Sequence, residues 1–171
     1  YNLAGTWKFT TGDDEMWKET SFNDAKWNDA VVPGYWESVP GLRDYDGSGW
    51  YRVRFSVPED LAGERMILLL GKIDDVDEAY LNGERVGRTG RIWKGMERSD
   101  LGEEWLQLRA YTLPTDLLNQ NKENVLALRV YDTFMHGGIY DGPVGLISRE
   151  KYQKWKQESN PVRTLFDWLF R

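Results

Sequence analysis

Apolar residues in this chain recur with period two, in short runs cut by Gly, Pro and Asp, and that alternation rules out a helical fold for most of its length. In WYRVRFSV, residues 50–57, Tyr51, Val53, Phe55 and Val57 share one face, while Arg52, Arg54 and Ser56 share the other. In NVLALRVYD, residues 124–132, Leu126, Leu128 and Val130 alternate with Val125, Ala127 and Arg129. Further strands are expected in GTWKF near the start, AVVP at 30–33, RMILLLG at 65–71, LRAYTL at 108–113 and PVGLIS at 143–148. DEAYLNGERVG reads as a hairpin turning on Asn82-Gly83. Eight or so short antiparallel strands make an all-β jelly-roll sandwich over about residues 1–148. Short helices are expected at 14–19 and at PTDLL, where Pro114 suits a first helical turn.

Residues 149–171 differ and read as a C-terminal helical tail or linker. Asn160 and Pro161 form a cap and first-turn pair, after which Val162, Leu165, Phe166 and Leu169 recur at spacings of three and four. A helix that short is not stable alone, so it must dock. The expectation is that Leu165 and Leu169 pack on the sandwich and that Trp168 or Phe170 meets a neighbour, through self-association or a larger protein.

The 171 residues suffice for one well-cored domain. Twenty-eight acidic against 22 basic residues give a net charge of −6, and the basic ones are scattered, which argues against a nucleic-acid partner. With no cysteine there is no disulfide framework, thiolate metal cluster or cysteine nucleophile. The longest apolar run, MILLL at 66–70, is too short for a membrane span, and no signal peptide is expected. A start at Tyr1 without Met fits a removed leader or a piece of something larger. Nine Trp and nine Tyr exceed what a core of this size needs, so some should face a ligand.

Six motifs in order carry a resemblance: GTWKFTTGDDEMW, FNDAKWNDAVVPGYWE, DGSGWYRVRFSVPEDL, LLLGKIDDVDEAYLNGERVG, RAYTLP and NVLALRVYDTFMHGGIYDGPVGL. Together they resemble the galactose-binding-like jelly roll. They are similar to the N-terminal sugar-binding domains of glycoside hydrolase family 2 enzymes, of β-galactosidase and β-glucuronidase type, and to the accessory β-domain of sialate O-acetylesterases. The resemblance implies an eight-stranded sandwich with a carbohydrate-related role, secreted or periplasmic, whose catalytic domain is absent here. RIWKGMERSDLGEEW, residues 91–105, looks longer than the family pattern, and His136 stands where a small residue is common.

GKIDDVDEAYLNGERVG holds Asp74, Asp75, Asp77 and Glu78 within five residues. An EF-hand loop fails, because counting from Asp75 reaches Ala79 and Tyr80 where a ligand and a glycine are needed. In a regular strand Asp75 and Asp77 share one face and Asp74 and Glu78 the other, so all four converge only on an irregular backbone. Two readings stay open: a calcium ion shared with a distant loop, or structural carboxylates paired with turn amides and with Arg109 or Arg52. No other cofactor is expected. Catalysis fits worse, since glycosidase carboxylates face each other across roughly 5–10 Å and neighbours on one strand cannot. The single histidine, His136, has no nucleophile motif beside it.

Sugar binding has the better physical case. A pyranose offers an apolar C–H face and a fringe of hydroxyls, which call for an aromatic plate plus carboxylates, amides or Arg forks. The loops at 33–50 and 132–142 supply both, with Trp36 and Tyr45 as stacking candidates and Glu37, Asp46, Arg52 and His136 as hydroxyl partners. Trp36 and Trp50 also suit plugging the sandwich end, and Trp7, Trp17 and Trp27 are expected in the core. Gly137-Gly138 answers a backbone need, either positive φ or close approach. The expected function is a non-catalytic carbohydrate-binding module. The alternative is an accessory domain that packs against a catalytic or signalling partner without touching sugar; an esterase or glycosidase in its own right ranks third.

Overall fold

A computed structural model describes residues 1–61 and 63–159, apart from the Asp60 side chain; the tail helix expected from Pro161 lies outside the described residues. Among them nine strands form: β1 (Gly5–Thr11), β2 (Asn28–Val32), β3 (Gly47–Ser56), β4 (Met66–Asp74), β5 (Val76–Leu81), β6 (Glu84–Thr89), β7 (Leu108–Thr112), β8 (Glu123–Asp132) and β9 (Gly138–Ser148). Helix α1 (Arg149–Glu158) follows. The strands build a six-stranded sheet, β2-β1-β3-β8-β5-β6, and a three-stranded sheet, β7-β4-β9. All pairings between these nine strands are antiparallel, as expected for a sandwich of alternating strands.

Tyr51 and Phe55 of β3 and Leu126, Leu128 and Val130 of β8 turn inward onto Leu68 and Leu70 of β4 and Val144 and Leu146 of β9. Each such burial stabilises by about 1.5–3 kcal/mol before entropy is counted. On the outer face of the large sheet, Trp50, Tyr80 and Ala127 form a second cluster with Trp17 and Trp27 packed on it. Trp7 is thus in the core as expected, whereas Trp17 and Trp27 belong to a segment folded over the sheet's back.

The Asn82-Gly83 hairpin joins β5 to β6 with φ of 51° and 87°, the two positive values a two-residue primed turn needs. Asp75 alone links β4 to β5, where the chain switches sheets, and the Asp74–Asp75 peptide is cis. Of the two short helices expected, the first forms and the second is corrected. The 14–19 helix is a 3-10 turn over Glu15–Lys18, capped by the Asp14 side chain on the Met16 amide. PTDLL is a turn closed from the Leu117 amide to the Pro114 carbonyl at 3.3 Å. Asn82 Nδ2 donates to the Leu117 carbonyl at 2.8 Å, occupying an acceptor a longer helix would use. Helix α1 is capped by Ser148 and buries none of its residues.

Candidate functional site

The four carboxylates divide between two jobs. Asp77 lies on the inner face of β5 and is fully buried; Arg109 Nε, from β7 in the other sheet, donates to it at 2.7 Å and the Tyr111 hydroxyl at 2.6 Å. Burial pushes the Asp77 carboxyl up, against the Arg109 charge and the bonds from Arg109 and Tyr111 that favour its ionised form. Glu78 points to the outer face, accepting from the Tyr80 hydroxyl at 2.9 Å and from Arg129 at 3.1 Å. Both are structural, as one of the two open readings held.

Asp74 and Asp75 instead line a cleft of about 330 Å³. The end of β4, the 98–105 segment and the 133–136 loop form its walls. Three rings at its rim are partly open to solvent, Tyr35 at 42%, Trp105 at 42% and Phe134 at 49% exposed. They are braced from behind. Tyr35 stacks on Tyr140 at 5.5 Å, with planes 3° apart, and His136 tilts against it at 4.9 Å. Tyr140 donates its hydroxyl to the Trp105 carbonyl at 2.8 Å, and the Arg98 guanidinium covers the Phe134 ring at 4.4 Å.

Beneath the rim, Asp75 Oδ2 accepts from the Thr133 amide at 3.1 Å and its hydroxyl at 2.9 Å. Asp132, at the end of β8, is fully buried; its Oδ1 accepts from the Phe134 amide at 3.2 Å and its Oδ2 has no partner. One oxygen from each of Asp74, Asp75 and Asp132 lies within 4.8 Å of the others, a donor set able to hold a metal ion. Burial, then the hydrogen bond and charge of Asp75, push the Asp74 carboxyl up to about 8. Burial and the charges of Asp75, Asp46 and Glu37 push Asp132 up to about 7. The three oxygens converge on one point instead of facing each other across a gap, which is not the geometry of a glycosidase pair.

The structure does join the two loops read from the sequence. Gly34 N donates to the Ile139 carbonyl at 2.7 Å and Trp36 N to that of Gly137 at 3.1 Å. Of the six sequence-nominated ligand residues, His136 lies in the cleft wall. Asp46 is exposed and lines an adjoining hollow that Asp132 and Arg98 share. Glu37 braces the site from behind, accepting the Gly137 amide at 3.0 Å.

Three nominations need correcting. Trp36 is fully buried in the main core, with Nε1 donating to the Tyr45 carbonyl at 3.3 Å, so it has no face for a sugar. Tyr45 packs edge-on against Trp36 and spends its hydroxyl on the Ser48 carbonyl at 2.7 Å. Arg52 is fully buried on the opposite face of the sheet, bonded to Asp24 at 2.7 Å and to the carbonyls of Trp17, Glu19 and Phe22. Trp105 and Arg98 were missed as ligand candidates, and Asp74 and Asp75 were read as metal ligands or structural carboxylates and not as part of a sugar cleft. The usable signal was the extra length at 91–105, which supplies Arg98 and Trp105.

A larger groove of about 750 Å³ runs beside α1, but charged and amide side chains line it without a ring, so its chemistry is weaker despite its size. No protein-family model matches the chain. A β-glucuronidase of Formosa agariphila is 25% identical over 159 residues, covering 82% of this chain and 16% of the relative. A calcium-binding mutant of Bacteroides uniformis β-glucuronidase 2 superposes with a TM-score of 0.68 at 23% identity, over 85% of this chain and 17% of that one. A glycoside hydrolase family 2 member from Bacteroides cellulosilyticus gives 0.64 at 21%, over 82% of this chain and 19% of its own. The chain therefore spans about a sixth of the length of the curated relative. Sequence and fold agree with the resemblance read from the motifs: the chain is similar to a β-sandwich fragment of glycoside hydrolase family 2 enzymes of the β-glucuronidase type.

Proposed function

We propose that the chain is a non-catalytic carbohydrate-binding module of the glycoside hydrolase family 2 type, and that sugar binds in the cleft between Tyr35, Trp105 and His136. The observation that carries this reading is the open, braced pair of rings, Tyr35 and Trp105, set beside Asp74 and Arg98 in one concavity. Rings alone suit a protein partner; rings interleaved with charged hydrogen-bonding groups suit a pyranose. The non-catalytic role is supported by the convergent placement of the carboxylates. A secreted or periplasmic location is part of the same proposal; among the described residues no helix is long and apolar enough to cross a membrane.

Titration with neutral oligosaccharides and with β-glucuronides, followed by tryptophan emission, tests it. The expected result is weak, saturable binding that drops at least tenfold in Trp105→Ala. Silence toward every sugar tried counts against it. The accessory-domain reading has two observations of its own: Met135 adds exposed apolar surface to the same cleft, and the chain matches only 16% of its relative's length. On that reading the rim packs against the rest of a larger enzyme, and sugar silence is the expected outcome.

A further inference from the structure

Asp74, Asp75 and Asp132 reach one point from three places: the end of β4, the link between the sheets and the end of β8. One oxygen from each lies within 4.8 Å of the other two. Calcium takes oxygen ligands at about 2.3–2.6 Å, so two ligands of one ion are never more than about 5 Å apart. The spacing meets that limit.

Crowded carboxylates alone do not make a site. The second observation is the buried, unpartnered Asp132 Oδ2, in a residue with no exposed surface. Buried polar atoms nearly always find a partner, so an orphaned, fully buried carboxylate oxygen on a member of the triad points to a positive ligand. The neighbouring guanidinium groups do not fill the role. Arg109 is bonded to Asp77 and to the carbonyls of Glu104, Gln107 and Asp75, and Arg98 lies over the Phe134 ring.

We propose that Asp74, Asp75 and Asp132 bind one divalent cation of the calcium class where the chain switches from one sheet to the other. Asp132 supplies Oδ2, and Asp75 supplies Oδ1, the oxygen Thr133 does not hold. An all-oxygen set favours calcium or magnesium over zinc or copper. The ion ties the ends of β4 and β8 together beneath the cleft, and the proposal does not rest on the sugar reading.

The test uses the full chain, stripped with EDTA, dialysed metal-free and kept free of sugar. Calcium chloride and magnesium chloride are titrated by calorimetry, and melting is followed with and without each. One equivalent is expected to bind with micromolar to millimolar Kd, and the melting temperature is expected to rise with cation concentration. Asp132→Asn and Asp74→Asn should each weaken binding at least tenfold. Asp141→Asn, an exposed carboxylate paired with Lys72, should leave it unchanged. Should Asp132→Asn fail to fold, Asp74→Asn, at a half-buried position, carries the comparison. Absence of heat and of any melting shift with both cations overturns the proposal, as does an unchanged Kd in both variants.

Discussion

Arg109 crosses from the three-stranded sheet to Asp77 in the six-stranded one, Nε to Oδ1 at 2.7 Å, and neither side chain has any exposed surface. Its other nitrogens donate to the carbonyls of Asp75, Glu104 and Gln107, so the charge is fully bonded. Removing one partner strands the other in the interior. Asp77→Ala and Arg109→Ala should each cost about 3–5 kcal/mol, more than the loss of a single hydrogen bond. Urea unfolding measures it, and the double variant should cost less than the sum of the singles.

Arg52 holds the 17–24 segment onto the outer face of the large sheet through Asp24 and three backbone carbonyls. Arg52→Ala should destabilise by about 3 kcal/mol or more, and Arg52→Lys should restore only part of it, because an ammonium lacks the guanidinium fork. Trp17, in that segment, and Trp27, just after it, pack on the Trp50 and Tyr80 cluster, so their emission should shift to the red. Under folding conditions the variant's response to sugar should match the parent's.

Trp36 and Trp105 should separate cleanly. Trp36→Ala empties a fully buried site and should cost about 3–5 kcal/mol. Trp105, 42% exposed, should tolerate Ala within about 1 kcal/mol while losing the sugar response. Melting curves and ligand titrations of the two variants check both halves.

Gly87 faces the Tyr111 ring so closely that a Cβ would fall within it. Gly87→Ala should therefore push Tyr111 off Asp77 and Thr89 and cost about 1–3 kcal/mol. Gly137→Ala meets the Trp36 ring in the same way. Gly41, at φ 90° with nothing near its missing Cβ, carries backbone strain alone and gives the comparison, read in the same unfolding assay.

Strand positions and faces were legible because alternation is a local property: Tyr51 inward and Arg52 outward follow from parity on β3. The Arg109 partnership was legible too, as a buried strand-face carboxylate needs a cation. Tyr35 and Trp36 show where local reading stops. They are adjacent, both aromatic and in one loop, yet Tyr35 is 42% exposed and Trp36 is fully buried. Only the fold of the loop onto β9 and the residue before it, through the Gly34 amide to the Ile139 carbonyl and the Trp36 amide to the Gly137 carbonyl, decides which ring meets solvent. Arg52 failed for a related reason. Its parity was right, but the segment it pins lies about 30 positions upstream, from Trp17 to Asp24, and no pattern announces that return. Asp74 and Asp75 join Asp132 only because the chain changes sheets between them.

The Arg52 pin grips mostly carbonyls, which every residue possesses whatever its side chain. Substitutions at Lys18, Glu19 or Thr20 should leave the clasp intact, while Asp24 and Arg52 cannot change independently. At residues 18–20 the segment is thus secured by its main chain and open to variation at its side chains, whereas the Trp17 ring and the Asp24 carboxylate are part of the clasp. A library randomised over residues 18–20 would alter the outer surface without redesigning the sandwich beneath.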